Sequence, residues 1–375
     1  LIINNLLYFM KFIITRDQLL TPLLQIVNVI EKKQTMPILA NVLLKFENSQ
    51  LILTGTDLEI QIIAKINLDP AQAGATTVPG RKLLDICRSF SKNVDIKFVL
   101  QENKLKISSG RSRFSLNTLN AEDYPEFISD SFEHSVVMQS GQLKNALQKT
   151  AFCMGLQDVR YYLNGLMLNV FNNTIKFVAS DGHRLSIYED TIEQETGTEA
   201  RFIIPRKGVI ELIRLLDDSE DSVTLEYSLN NIQVHYKNLV FSAKLIDSKY
   251  PDFGKVFLQD FNIPIHFPKQ QLKESLTRIA ILANEKSKGV NLFFNEGCLK
   301  ISTHNPEQEE ADEEVIIDYH NEPLSIAFNA QYLLDAINNV SSETLVFTSA
   351  RNGSCCFIEE PDQHLYRFII MSMKI

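Results

Sequence analysis

Residues 175–187 read IKFVASDGHRLSI, an alternating apolar strand that runs into a polar turn and out into a second strand. Two further stretches share that shape: LILTGTDLEI at 51–60 and LKISTHNPEQEEADEEV at 299–315. Asp57, Asp181 and Asn305 hold the same place in them, spaced 124 and 124 residues. A second anchor agrees: VPGRKLLDI, IPRKGVIEL and FNAQYLLDAI start at Val78, Ile204 and Phe328, spaced 126 and 124. A third, FSLNTL, FSAKLI and FIIMSM, starts at Phe114, Phe241 and Phe368, spaced 127 each time. The chain is three copies of one unit of about 120–130 residues.

Each copy opens on a β-type run and a helical pattern, as in FIITRDQLLTPLLQIVNVI, then gives strands, a second helix and more strands. In VLLKFENSQLILTG the pair Asn48-Ser49 marks a hairpin. Helices and hairpins segregated in this way predict an α+β fold with antiparallel sheets, in three tandem domains at 10–131, 132–260 and 261–375. Tyr124-Pro125 and Tyr250-Pro251 act as stop signals near the boundaries. Residues 1–9 (LIINNLLYF) carry no basic start and no small-residue cleavage site, and are expected to be a disordered extension or a start-site artefact before Met10.

No apolar run approaches the roughly 18 residues of a membrane span. The five cysteines, Cys87, Cys153, Cys298, Cys355 and Cys356, lack metal-ligand spacing and read as reduced thiols of a cytoplasmic protein. The net charge of −9 alone argues against nucleic acid. The distribution of charge points the other way. The helical windows 16–33, 80–92, 140–152, 205–216, 268–288 and 329–340 together carry +10, so the remainder carries −19. Arg81, Lys82, Arg206 and Lys207 lie at helix starts, where the macrodipole disfavours cations, so a neighbouring anion is expected. A basic helical face within an acidic shell would attract phosphates without reading base sequence.

Ser180, Asp181 and His183 could belong to a hydrolase or nuclease. The equivalent turns, TGTDLE and THNPEQ, keep the shape and not the reactive set, so the turn is first of all hairpin chemistry. No phosphate-binding loop, metal cluster or nucleophile–base spacing appears, and neither a cofactor nor a catalytic residue is expected. The terminal copies differ in charge: GRSRFSL places Arg111 and Arg113 in the first, and NPEQEEADEE puts six acids, Glu307, Glu309 and Glu310 among them, in the third. Opposite ends of opposite charge predict a head-to-tail contact between copies of the chain, with Phe114, Leu116, Ile281 and Leu282 as its apolar part.

The stretches MPILANVLLKF, ATTVPGRKLLDICR, QDVRYYLNGLML, SDGHRLSI, IPRKGVIELIRLLD and HNPEQEEADEE resemble the β subunit of bacterial DNA polymerase III, the sliding-clamp family, from Met10 to Ile375. The resemblance implies a closed ring of two head-to-tail chains, with helices lining a central hole and sheets outside. It implies a processivity factor that encircles duplex DNA. Its partners would be the polymerase catalytic subunit, a clamp loader, and other polymerases and repair proteins that dock through short peptides; no membrane is involved. By the same resemblance, Lys33, Arg81, Lys82, Gln157, Tyr161, Tyr162, Arg206 and Lys207 face DNA. One part of the partner-peptide pocket maps to Leu163, Ser180, Gly182, His183, Arg184 and Leu185, and the other to Pro251, Val256, Ile369, Met371, Ser372 and Met373. Ser180 and Ser372 stand where the family pattern carries threonine and proline. A repeat scaffold that binds proteins without DNA is the remaining alternative, and the +10 of the helices speaks against it.

Overall fold

Asn48 and Ser49 both take positive φ, 50° and 58°, the two-residue turn whose twist suits a hairpin. Through it β2 (Asn41–Glu47) and β3 (Gln50–Thr56) run antiparallel, with Glu47 opposite Gln50. The computed structural model describes residues 10–30, 36–127, 131–132 and 134–374. The extension 1–9 and Lys33 lie outside the described residues. Every pairing between the strands named below is antiparallel, as the hairpin pattern predicts.

The chain forms two compact units, residues 1–144 with 207–245, and residues 145–206 with 246–375. The first unit contains a four-stranded sheet in the order β1 (Lys11–Thr15), β6 (Asp95–Gln101), β7 (Lys104–Ser109) and β8 (Ser112–Asn117). Its second sheet has eight strands. The order is β5 (Gly74–Pro79), β2, β3, β4 (Ile60–Asn67), β14 (Leu239–Lys244), β13 (Asn231–Tyr236), β12 (Ser222–Tyr227) and β9 (His134–Gln139). The second unit contains a six-stranded sheet in the order β10 (Gly165–Ser180), β11 (Arg184–Pro205), β22 (Gln363–Met371), β21 (Cys355–Glu360), β20 (Thr344–Ser349) and β15 (Ile265–Pro268). Its other sheet runs β18 (Glu310–Ile316), β17 (Cys298–His304), β16 (Gly289–Asn295) and β19 (Leu324–Asn329).

The two compact units do not follow the three sequence repeats. Strand pairing crosses from one repeat to the next: Ile62 on β4 faces Phe241 on β14, and Ile187 on β11 faces Arg367 on β22. A hydrogen-bonded sheet joins its strands irrespective of their place in the chain.

All six helical windows contain a helix: α1 (Arg16–Val27), α2 (Gly80–Ser89), α3 (Ser140–Ala151), α4 (Arg206–Leu215), α5 (Lys269–Ile279) and α6 (Ala330–Asn339). Helix α1 shows why. Thr15 caps it reciprocally with Gln18, and Leu19, Leu23 and Ile26 recur at helical spacing on the buried face. Burial of each contributes about 1.5–3 kcal/mol. The helix sits so close to β3 that a Cβ on Gly55 would lie 2.5 Å from the Ile26 side chain. In the second unit, Val178, Leu185, Ile187, Phe357 and Ile369 form a core on which the segment after β14 is laid through Tyr250, Phe253, Val256, Phe257 and Phe261. All five cysteines are free, and all but Cys298 are buried; burial pushes the Cys87 thiol up to about 12.

Candidate functional site

The turn between β10 and β11 is built by its own side chains. The Ser180 hydroxyl donates to the Arg184 carbonyl at 2.7 Å and accepts from Gly182 N at 3.0 Å. Asp181 Oδ1 accepts from the backbone of His183 and Arg184 at 2.9 and 3.0 Å. The same four bonds recur 124 residues earlier. Thr56 donates to the Ile60 carbonyl and accepts from Leu58 N, while Asp57 Oδ1 accepts from Glu59 N and Ile60 N. In the third copy Asn305 also accepts from the backbone of its turn, but four residues on, from Glu309 N at 2.9 Å. The repeat in the sequence is thus a repeated hydrogen-bond motif. It engages the Ser180 hydroxyl and the Asp181 carboxylate with backbone, and the His183 ring stacks on Tyr332 at 6.5 Å, so the three do not form a nucleophile–base pair.

Beside this turn lies a cavity of about 250 Å³. The structure brings Ser180, Gly182, Arg184, Leu185, Pro251, Val256, Ile369 and Met371 into its lining. Leu163, His183, Ser372 and Met373 are not among the lining residues: Leu163 is buried, and the Ser372 and Met373 amides bond to the Ser354 and Ala327 carbonyls. Sequence reasoning missed Tyr250, Asp252 and Phe253, which complete the lining. The signal was present in Tyr250-Pro251, where the proline was assigned to the pocket and the tyrosine was read as punctuation.

Arg184 is the polar wall, and it is held on every side. Its Nε binds Asp181 at 3.0 Å, Nη1 binds Asp335 at 2.5 Å, and Nη2 donates to the Phe152 carbonyl at 3.0 Å. Its guanidinium lies over Tyr332 at 4.4 Å and near Phe152 at 5.5 Å. With that charge matched internally, the rest of the wall is mostly aliphatic and aromatic, with Ser180 and Asp252 as its other polar side chains. The cavity suits one or two apolar side chains of a peptide, with Met371 as an adaptable edge.

The loop 155–164 follows α3 and carries Gln157, Tyr161 and Tyr162. Asn164 braces it, accepting from Asp158 N and donating to the Asp158 carbonyl, both at 2.8 Å. Gln157 and Tyr161 are exposed, whereas Tyr162 packs edge-on against Tyr250. The Arg160 guanidinium, bonded to Asp158 through Nε and Nη2, holds that carboxyl down at about 2.

Three of the four cations at helix starts have partners within the protein, and for one of them the neighbouring anion is a carboxylate of the chain itself. Lys207 pairs with the Asp57 carboxylate. Arg81 donates to the Ile30 carbonyl at 3.1 Å and Arg206 to the Met154 carbonyl at 3.0 Å, each three residues beyond the preceding helix. Each guanidinium thus satisfies a carbonyl in the segment that follows a helix. Lys82 is exposed.

The two charged segments occupy sheet edges. In the first unit β8 is an edge strand with Arg113 and Phe114 exposed, but Arg111 sits in the preceding turn and not on the strand. Leu116 is buried, only 9% exposed. In the second unit β18 is an edge strand that exposes Glu310, Asp312 and Glu314. Glu307 and Glu309 are exposed in the turn before it, Ile281 is 77% exposed, and Leu282 is half-buried.

Three models of the DNA polymerase III beta subunit match the chain in succession. The N-terminal domain matches residues 10–128, the central domain 137–252 and the C-terminal domain 255–374. A beta sliding clamp of Pseudomonas putida is 39% identical over 367 residues, covering 98% of this chain and all of the relative. The beta sliding clamp of Escherichia coli K12 is 38% identical over the same length and coverage. A crystal structure of the sliding clamp of Pseudomonas aeruginosa bound to griselimycin superposes with a TM-score of 0.94 at 39% identity, covering 98% of this chain and all of that one. The chain belongs to the DNA polymerase III beta-subunit family, the beta sliding clamps.

Proposed function

We propose that two copies of this chain close head to tail into a ring around duplex DNA, slide along it and tether the replicative polymerase to it. The observation that carries the reading is that the N-terminal, central and C-terminal domains of the family follow one another over residues 10–374. The three domains are drawn at 10–131, 132–260 and 261–375. The chain is a non-catalytic accessory subunit: threading retains it on DNA, and a polymerase held on the ring rebinds the primer end at high effective concentration.

Each feature of the two units takes a place in that mechanism. Lys82, Arg81, Lys207, Gln157, Tyr161, Tyr162 and Arg206, with Lys33, meet the duplex, through phosphates in the case of the cations. The cavity lined by Leu185, Pro251, Val256, Ile369 and Met371 takes short apolar peptides of the polymerase, the clamp loader and repair proteins. The β8 edge of one copy meets the β18 edge of the other, arginine against carboxylate. The ring acts in the cytoplasm at the nucleoid, where the DNA is. Among the described residues no helix is long and apolar enough to cross a membrane.

Retention on circular DNA tests this. Protein loaded on nicked circles is expected to stay bound through gel filtration in high salt, and to be lost once the circles are linearised. Equal retention on circles and linear DNA would rule out encirclement.

A further inference from the structure

Arg160 stands between two proposed contact surfaces. It belongs to the loop that carries Gln157, Tyr161 and Tyr162, yet its Nη2 donates to the Asp181 carbonyl at 3.1 Å, in the turn that walls the cavity. Its guanidinium also lies against Gly182, where an added Cβ would be 2.7 Å from both terminal nitrogens and 3.1 Å from Cζ. Gly182 takes φ +88° and lines the cavity. The backbone thus approaches the guanidinium as closely as a residue without a side chain allows.

The loop holds the guanidinium at that contact. Asp158 holds Arg160 through Nε and Nη2 at 3.0 and 2.8 Å, and accepts from Arg160 N at 2.8 Å. Asn164 fixes Asp158, and Gly155 N donates to the Leu163 carbonyl at 2.8 Å. Asp158 is therefore fixed within the loop and holds the Arg160 guanidinium in its seat over Gly182. A phosphate oxygen pair offers a guanidinium the same two-pronged geometry as the Asp158 carboxylate. The Arg160 side chain is 45% exposed and within reach of such a competitor.

We infer that Arg160 is a positioning residue that links duplex contact to peptide affinity. The inference rests on the cavity being the peptide site and the loop facing DNA. The guanidinium has two seats: over Gly182, as here, and on a duplex phosphate. In the first it lies over Gly182, which lines the cavity. In the second the rim is open and a bound peptide gains that surface. A ligand shifts such an equilibrium only by its differential affinity for the two states, and the coupling acts equally in both directions.

The test measures binding of a fluorescent peptide with adjacent leucine and phenylalanine side chains to the full-length chain, by anisotropy, with and without a saturating short duplex. The wild type is expected to bind the peptide about fivefold more tightly with duplex present, a typical coupling. Arg160→Ala is expected to show the tighter value without duplex and to gain nothing when it is added. Asp158→Asn, which keeps the arginine but loosens its seat, is expected to shift affinity the same way by a smaller factor. A duplex-dependent gain that survives in Arg160→Ala, or equal affinities for all proteins in both conditions, would overturn the coupling. A wild type that binds no peptide in either condition would overturn the pocket and the coupling together.

Discussion

Asp57 and Lys207, 150 residues apart in sequence, form an ion pair in which the carboxylate is 5% and the ammonium 31% exposed. The carboxylate has two tasks, since Oδ1 also accepts from Glu59 N and Ile60 N in the β3–β4 turn. Asp57→Ala removes the turn bonds and leaves a half-buried ammonium with less compensation. The expected cost is about 2–3 kcal/mol of unfolding free energy. Lys207→Ala should cost less, because the turn survives. A double-mutant cycle in urea reads the difference; equal costs for the two single variants would show that the turn bonds contribute nothing.

The same pair divides the basic residues of the first unit into two kinds. Lys82 is exposed, whereas the Lys207 ammonium is already paired with Asp57. Loss of one phosphate contact lowers the slope of log K against log salt by about 0.9. Lys82→Ala should show a drop of that size, and Lys207→Ala a smaller one. Salt titrations of duplex binding check this, and the reverse order would discredit the division.

The edge strands predict how copies assemble. Arg111→Glu with Arg113→Glu should weaken the dimer at least tenfold, since like charges would then face Glu310, Asp312 and Glu314. Adding Glu310→Arg and Glu314→Arg should restore part of the loss. Light scattering across a dilution series gives the result. An unchanged monomer–dimer midpoint in the first variant would remove these edges from the interface.

Val256 lines the cavity and is half-buried at the margin of the core, so a charge there meets the peptide at a small cost in packing. Val256→Asp should lower peptide affinity at least tenfold and leave the melting temperature within a few degrees of the wild type. Isothermal titration and a thermal melt separate these effects. Retained affinity would place the peptide elsewhere.

What the sequence discloses here depends on whether the controlling interaction is local. The spacing of 124 residues between Asp57, Asp181 and Asn305 was legible because each oxygen caps a turn within four residues of itself. The partner of Lys207 was not, because nothing near residue 207 signals a carboxylate at 57. Pairing of Ile62 with Phe241 was hidden for the same reason: strand alternation marks which face is buried, not which strand lies alongside. Tyr250 and Phe253 escaped because loop residues close to a proline read as a boundary. Their packing on the sheet beneath them makes that boundary part of the cavity.

Glu313 tests whether the inner face of β18 acts separately from its outer one. Its carboxylate accepts from Arg278 through Nε and Nη2 at 2.9 and 2.5 Å, and from the Ser275 hydroxyl at 2.7 Å. The Arg278 and Ser275 hydrogen bonds hold it down at about 2, against an ordinary 4.5. The folded value lies below the unfolded one, so the stabilisation is fully present above about 4.5 and disappears as pH falls towards 2. Solvent screening of the half-exposed arginine limits it to about 0.5–1 kcal/mol. Glu313→Gln should therefore melt below the wild type at pH 7, with the two curves converging towards pH 2. The dimer midpoint should stay unchanged at pH 7, because Glu313 points at α5 while Glu310, Asp312 and Glu314 are exposed. A melting difference that persists at pH 2 would show that the carboxylate acts through packing and not through its charge.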